Sequence, residues 1–151
     1  MAESGQSAWV AKVAVRRSFD VVAPVDEAWR RLADVERWPE WAPHITSVRV
    51  FPSGPLGPSS RGVLHLRRLG RNTFRMSAWE PPRRWEWAGG LPGVRITYDH
   101  RFEASGDKAT TMTWTVSLEG PLARLIRPVF AQVYGRNVDR AIPRLQAWIR
   151  T

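Results

Sequence analysis

The sequence predicts an α+β domain, a curved seven-stranded antiparallel sheet lying around one long C-terminal helix, with two short helices between the first and second strands. Three observations predict it. Apolar and polar residues alternate at period two through most of the chain. The breakers between these runs are too short for parallel crossovers and suit hairpins. Helical spacing occurs in two places only, just after the first alternating run and over the closing residues 120–151.

The elements follow in order. In the first run Val13, Val15, Phe19 and Val21 fall on one side and Arg16, Ser18 and Asp20 on the other, the mark of a half-buried strand. In "APVDEAWRRLAD", Pro24 suits a first helical turn. Asp26 and Glu27 sit near the positive end of the helix dipole, and Val25, Ala28, Trp29 and Leu32 make an apolar stripe. "VERWPEW" adds one more turn, cut short because the ring of Pro39 disfavours helical backbone at Trp38. Strands are then expected in "ITSVRVF", "GVLHLRRL", "NTFRMSAWE", "RRWEWAG", "VRITYDHRFEA" and "ATTMTWTVSLE". Turns are expected at Gly70-Arg71-Asn72, Pro81-Pro82, Gly89 to Gly93 and Ser105-Gly106-Asp107.

On the last helix, Leu122, Leu125, Ile126, Val129 and Val133 form one stripe. Val138, Ala141, Ile142, Leu145 and Ile149 form another, rotated by well over a quarter turn. With Pro128 and Gly135 nearby, a break or bulge is expected between Arg127 and Asn137, leaving the first half to face the mouth or the outside. Arg136, Arg140 and Arg144 line up four apart as an exposed basic ridge, either plainly solvated or turned toward an acidic partner or anionic lipid headgroups.

Composition narrows the function. A chain of 151 residues is expected to form a single domain over 1–151, with 1–8 disordered. With no cysteine there are no disulfides and no thiolate nucleophiles or metal ligands, which suits a reducing compartment, and cytoplasm is the expected location. Neither a signal-like start nor a membrane-spanning apolar run is present. The formal charge of +9 raises nucleic acid as a partner. Against it, all 23 basic residues except Lys12 and Lys108 are arginines, dispersed with no run longer than a pair. No nucleic acid is expected, while transient membrane contact stays open. His44, His65 and His100 lack metal-ligand spacing, so neither metal nor other cofactor is expected. No Gly-x-Ser-x-Gly elbow or glycine-rich phosphate loop occurs. Asp99 and His100 are strand neighbours on opposite faces and cannot form a dyad.

The inward face of the sheet is rich in rings. Phe74 and Met76, Trp85 and Trp87, Tyr98, His100 and Phe102, then Met112, Trp114, Val116 and Leu118 alternate onto it. Indole and phenol groups need partners in a dry core but suit an apolar pocket wall that offers a few donors. Sheet curvature leaves space under the helix, so a ligand-sized cavity competes with an ordinary aromatic core.

The run "VVAPVDEAWRRLADVERWPEWAPHITSV", with "WEPPRRWEW" and the closing amphipathic helix, resembles the START-related superfamily that includes polyketide cyclases and plant pathogenesis-related class 10 proteins. The resemblance spans nearly the whole chain. It implies the helix-grip fold, with a deep apolar cavity between sheet and C-terminal helix. It places Trp38, Pro39 and Trp41 as a roof by the entrance, the alternative being a corner plug. The implied ligand wall is Trp38, Trp41, Phe74, Met76, Trp85, Trp87, Tyr98, His100, Met112, Trp114 and Val116, with Phe130 and Tyr134 from the last helix. Members similar to aromatase/cyclases bind and enolise poly-β-ketones with a few polar groups. By that comparison Arg67 or His65 on the third strand, His100 and Tyr98 on the sixth, and Tyr134 or Asn137 on the helix are catalytic candidates. Either Leu64 and Leu66 or Val63, His65 and Arg67 face inward; the alternation does not choose. The expected function is binding of one small hydrophobic molecule such as a lipid, quinone or polyketide. An aromatase/cyclase and an interaction module with a filled cavity are the alternatives.

Overall fold

The computed structural model describes residues 10–151; the expectation for residues 1–8 falls outside them. Strand β1 (Lys12–Val21) is followed by helix α1 (Val25–Ala33) and a single 3-10 segment, η1 (Val35–Glu40). Six strands come next, β2 (Ile45–Phe51), β3 (Arg61–Leu66), β4 (Gly70–Glu80), β5 (Arg84–Leu91), β6 (Val94–Ala104) and β7 (Thr110–Glu119). Helix α2 (Ala123–Ile149) closes the chain. All seven strands form one sheet in the order β1-β7-β6-β5-β4-β3-β2, and every adjacent pair is antiparallel. The connection from β1 to β2 therefore carries α1 and η1 from one edge of the sheet to the other.

Burial follows the predicted alternation closely in β7, where Thr110, Met112, Trp114, Val116 and Leu118 are all buried. Register brings one correction, on β1, and decides one open choice, on β3. Val13 is 51% exposed, because the β1–β7 pairing shifts between Val13 and Val15. A bulge exchanges faces, so Val13 leaves the side of Val15, Phe19 and Val21, and Ala14 packs against the core instead. On β3 the inward set is Gly62, Leu64 and Leu66, whereas His65 points out and meets Ser47 Oγ at 3.1 Å.

Turn positions also move. The turn expected at Gly70-Arg71-Asn72 lies three residues earlier, at Arg67–Leu69, and Gly70 opens β4 with φ +80°. Arg67 is consequently not a strand residue. Between β5 and β6, Gly89, Gly90 and Leu91 extend the strand, and the reversal falls at Pro92-Gly93.

No break interrupts α2. Its inward positions run Ala123, Ile126, Phe130, Tyr134, Val138, Ala141, Leu145 and Ile149, one continuous stripe at helical spacing. The expected break rested on the two stripes of large aliphatics, of which the first, Ile126 apart, lies outward as expected without any interruption of the helix. Leu125 is 77% exposed and Val129 65% exposed, while small Ala123 takes the inward place. Gly135 is buried for close approach rather than for a kink, since a Cβ there would sit 3.1 Å from Arg17 Nη2. Arg17 in turn donates to Asp139 on the neighbouring turn, Nε to Oδ1 at 2.7 Å. Arg136, Arg140 and Arg144 are exposed as expected.

The far end of α2 is locked to the helical corner. Arg31 Nη2 donates to the Trp148 carbonyl at 2.7 Å, and its guanidinium lies 4.3 Å over the Trp148 ring. A cation at a helix C-terminus satisfies carbonyls that have no intrahelical donor.

A hollow at one end of the sheet-helix interface as candidate functional site

Two ends of the space under α2 are built differently. Near α1 it is solid. Trp85 is fully buried, with Trp29 at 5.1 Å edge-on, Phe102 at 5.6 Å and His100 stacked at 4.7 Å between ring centroids. Toward the N-terminal half of α2 the rings line a space rather than fill it. A cavity of about 280 Å³ lies between the inner faces of β3–β6 and the helix. Phe74, Trp87, Tyr98 and His100 supply its sheet wall, Phe130, Val133, Tyr134 and Asn137 its helix wall, and Trp38, His44 and Ile45 the corner.

Local sequence explains the shape. Period-two alternation delivers Ile96, Tyr98 and His100 to one face of β6. Gly62 leaves room for Phe74, whose ring a Cβ would strike. At the rim Leu69 and Leu91 are 63% and 65% exposed, and Arg71 also faces solvent there. The mouth is thus an aliphatic lip beside an arginine. A larger groove of about 550 Å³, between α1 and the loop at Gly54–Leu56, is a more open depression on the outer surface.

Apart from Arg71 at the rim, the polar groups in the cavity are few and uncharged at neutral pH. Burial pushes His100 down to about 4, with a smaller opposing pull from Asp99 and a hydrogen bond to the Trp85 carbonyl. That bond joins Nδ1 to the Trp85 oxygen at 3.4 Å; a carbonyl only accepts, so Nδ1 carries the proton and Nε2 is left as an acceptor. His44 is lowered to about 4 by burial alone. Tyr98 is pushed up to about 12 by burial, partly opposed by the Asn72 side chain, and Tyr134 is raised for the same primary reason. Both phenols therefore keep their protons and can donate. Asp99 lies on the other face, bound to Arg84 at 2.6 Å and Arg101 at 2.8 Å, and makes no dyad with His100.

Of the sequence candidates, the cavity gathers Trp38, Phe74, Trp87, Tyr98, His100, Phe130, Tyr134 and Asn137. It does not gather Arg67, which is exposed and donates from Nε to the Pro43 carbonyl at 3.3 Å, nor the outward His65. Met76, Trp85 and Met112 belong to the solid core, and Val116 packs in a second cluster with Val15, Ile96 and Leu118. Trp41 and Trp114 wall a smaller chamber of about 40 Å³, which shares Trp38, His44, Ile45, His100 and Tyr134 with the main cavity. Trp38 lines the cavity from the corner, away from the lip at Leu69 and Leu91, with its Nε1 donating to the Leu32 carbonyl at 2.8 Å, while Trp41 sits deeper, 3% exposed. Sequence reasoning missed His44, Leu64, Leu66, Asn72 and Ile96. His44 follows Pro43 in a turn, where no periodicity exists to orient it; Leu64, Leu66 and Ile96 carried an alternation signal.

No group of three or more metal-ligating side chains occurs among the described residues. No described helix is long and apolar enough to cross a membrane.

Known proteins share this architecture. The Zhui aromatase/cyclase from Streptomyces sp. R1128 superposes with a TM-score of 0.75 at 19% identity, covering 93% of this chain and 94% of that one. Norcoclaurine synthase from Thalictrum flavum, in complex with dopamine and hydroxybenzaldehyde, gives 0.71 at 10% identity over 95% and 89%. A START superfamily protein from Mycobacterium smegmatis gives 0.70 at 15% over 90% and 96%. These similarities establish the helix-grip fold. No curated protein matches by sequence. The sequence pattern described as polyketide cyclase / dehydrase and lipid transport matches residues 12–149, nearly the full length of strands, cavity and closing helix, and the chain belongs to that family.

Proposed function

We propose that the protein binds one small, largely apolar molecule in the cavity between the sheet and α2. The observation that carries this reading is the ring-lined hollow itself, about 280 Å³ inside an otherwise close-packed fold. Native interiors leave few voids larger than a water molecule, so a space of this size is a feature the sequence maintains. It lies just under the range typical of drug-sized ligands, which favours a guest of about two fused rings or a short acyl chain over an intact phospholipid. The aliphatic lip at Leu69 and Leu91 gives such a guest an apolar path inward.

Aromatase/cyclase chemistry is the second reading, supported by His100, Tyr98, Tyr134 and Asn137 facing the same space. Neutral His100 can accept a proton through Nε2, and the phenols can donate to a carbonyl. With His100 held to about 4, however, no imidazolium acid is present at pH 7. Binding therefore ranks first. An interaction module with a filled interior fits the hollow least.

The test is extraction of the protein, purified from its own cells, into organic solvent, with the extract weighed by mass spectrometry. A stoichiometric apolar molecule is expected. Absence of any such molecule, together with no calorimetric binding of small aromatic ketones or short fatty acids, overturns the reading.

A further inference from the structure

The small chamber behind the main cavity carries more information than its size suggests. Four buried side-chain nitrogens among the described residues have no hydrogen-bond partner within the protein: Trp41 Nε1, His44 Nδ1, Trp85 Nε1 and Trp114 Nε1. Three of the four belong to residues that wall this one chamber of about 40 Å³. Buried polar groups are almost always paired, and three orphans around a single space call for a partner placed there. Both indoles are more than nine-tenths buried, Trp41 at 3% and Trp114 at 8% exposure, so bulk water does not satisfy them. An indole N–H only donates, so the partner is an acceptor. The volume suits one oxygen atom with its immediate substituent, or one water molecule.

We infer that the chamber is an oxygen site, and that it receives the carbonyl oxygen of the ligand bound in the main cavity, held by the indole N–H groups of Trp41 and Trp114. This rests on the binding reading above and adds the ligand's chemical class, a ring or short chain ending in a ketone, aldehyde or quinone oxygen. Trp38, His44, Ile45, His100 and Tyr134 wall both spaces, which sets the chamber directly against the cavity. An oxygen pointing inward therefore leaves its apolar body against Phe74, Trp87 and Phe130. A hydrocarbon of the same shape would seat equally well but leave the donors unpaired, a penalty that makes such sites selective. A water molecule supplies the same acceptor when no ligand is bound, and the ketone displaces it.

The test uses two nearly isosteric probes, 2-acetylnaphthalene and 2-isopropenylnaphthalene, titrated into the full chain. Binding is followed by calorimetry and by the indole ¹⁵N–¹H resonances, assigned through Trp41→Phe and Trp114→Phe. The ketone should bind about ten-fold more tightly than the hydrocarbon, from two neutral hydrogen bonds. It should move the Trp41 and Trp114 indole protons downfield and abolish any water cross-peak to them. Each Trp→Phe change should narrow the ten-fold gap. Should either variant misfold, the wild-type resonances decide alone. Equal affinities with both resonances unmoved, or a water cross-peak that survives ketone binding, overturn the oxygen site and leave the cavity reading intact. Failure of both probes to bind overturns the cavity reading and this inference together.

Discussion

The two ends of the helix-sheet interface use the same kinds of side chain and reach opposite outcomes. At the α1 end, Trp29, Trp79, Trp85 and Phe102 pack edge to face or tilted, with centroids 5.0–6.3 Å apart. Toward the other end, Phe130 stacks on Tyr134 at 5.3 Å and Tyr98 reaches within 5.8 Å of Tyr134, yet about 280 Å³ stays open beside them. The difference lies in what faces the rings. Trp29 on α1 plugs the first end, whereas only α2 and the corner around His44 close the second. Aromatic content alone does not decide between core and pocket; a third element does.

Four changes would break or sharpen this contrast. Trp85→Ala removes a fully buried ring from the solid end and should cost about 3–5 kcal/mol of unfolding free energy in urea titration. A loss below about 1 kcal/mol would mean that this end is not packed as described.

Acidification acts at the boundary between the two ends. His100 and His44 are each held near 4 in the folded chain, below their ordinary value of 6.5, so the unfolded chain binds more protons between those limits. Their contribution is complete above about pH 6.5 and falls as pH drops toward 4, by roughly 2–3 kcal/mol for each histidine. Stability measured across that window should drop, and His100→Phe should flatten the slope by about half. An unchanged slope would show that His100 is solvated.

At the hollow end, Leu66→Trp places a large ring in the cavity. It should change stability by less than about 1.5 kcal/mol while abolishing ligand uptake, because an open space accepts volume that a core refuses. A cost of several kcal/mol would indicate a closed interior. The smallest effect belongs to the Arg17–Asp139 pair, which is 2.7 Å long but on the surface at 37% and 56% side-chain exposure. Arg17→Met should cost less than about 1 kcal/mol in the same titration.

The extent to which the chain announces this structure varies by element. The inward faces of β4–β7 were legible because period-two alternation is a property of the backbone, and Phe74, Trp87, Tyr98 and His100 follow from it directly. β1 was half legible. Its alternation is real, but the bulge between Val13 and Val15 depends on pairing with β7, which no local pattern records. Arg67 was misplaced because "LRRL" continues the strand pattern past the point where the chain turns. The expected break in α2 came from weighing Leu125 and Val129 by size, when small Ala123 lies inward and Gly135 leaves room for the Arg17 side chain.

By itself the sequence determined the order of elements, the antiparallel pairing and the ring-rich inner surface. Each of those rests on short-range periodicity and turn chemistry, which a chain carries wherever it folds. Tertiary structure alone decided where space is left over, which of the rings border it, and that Trp41, His44 and Trp114 share one small chamber. Unfilled volume is a difference between the distance separating two surfaces and the reach of the side chains on both. Neither quantity exists until the sheet has curved and the helix has docked.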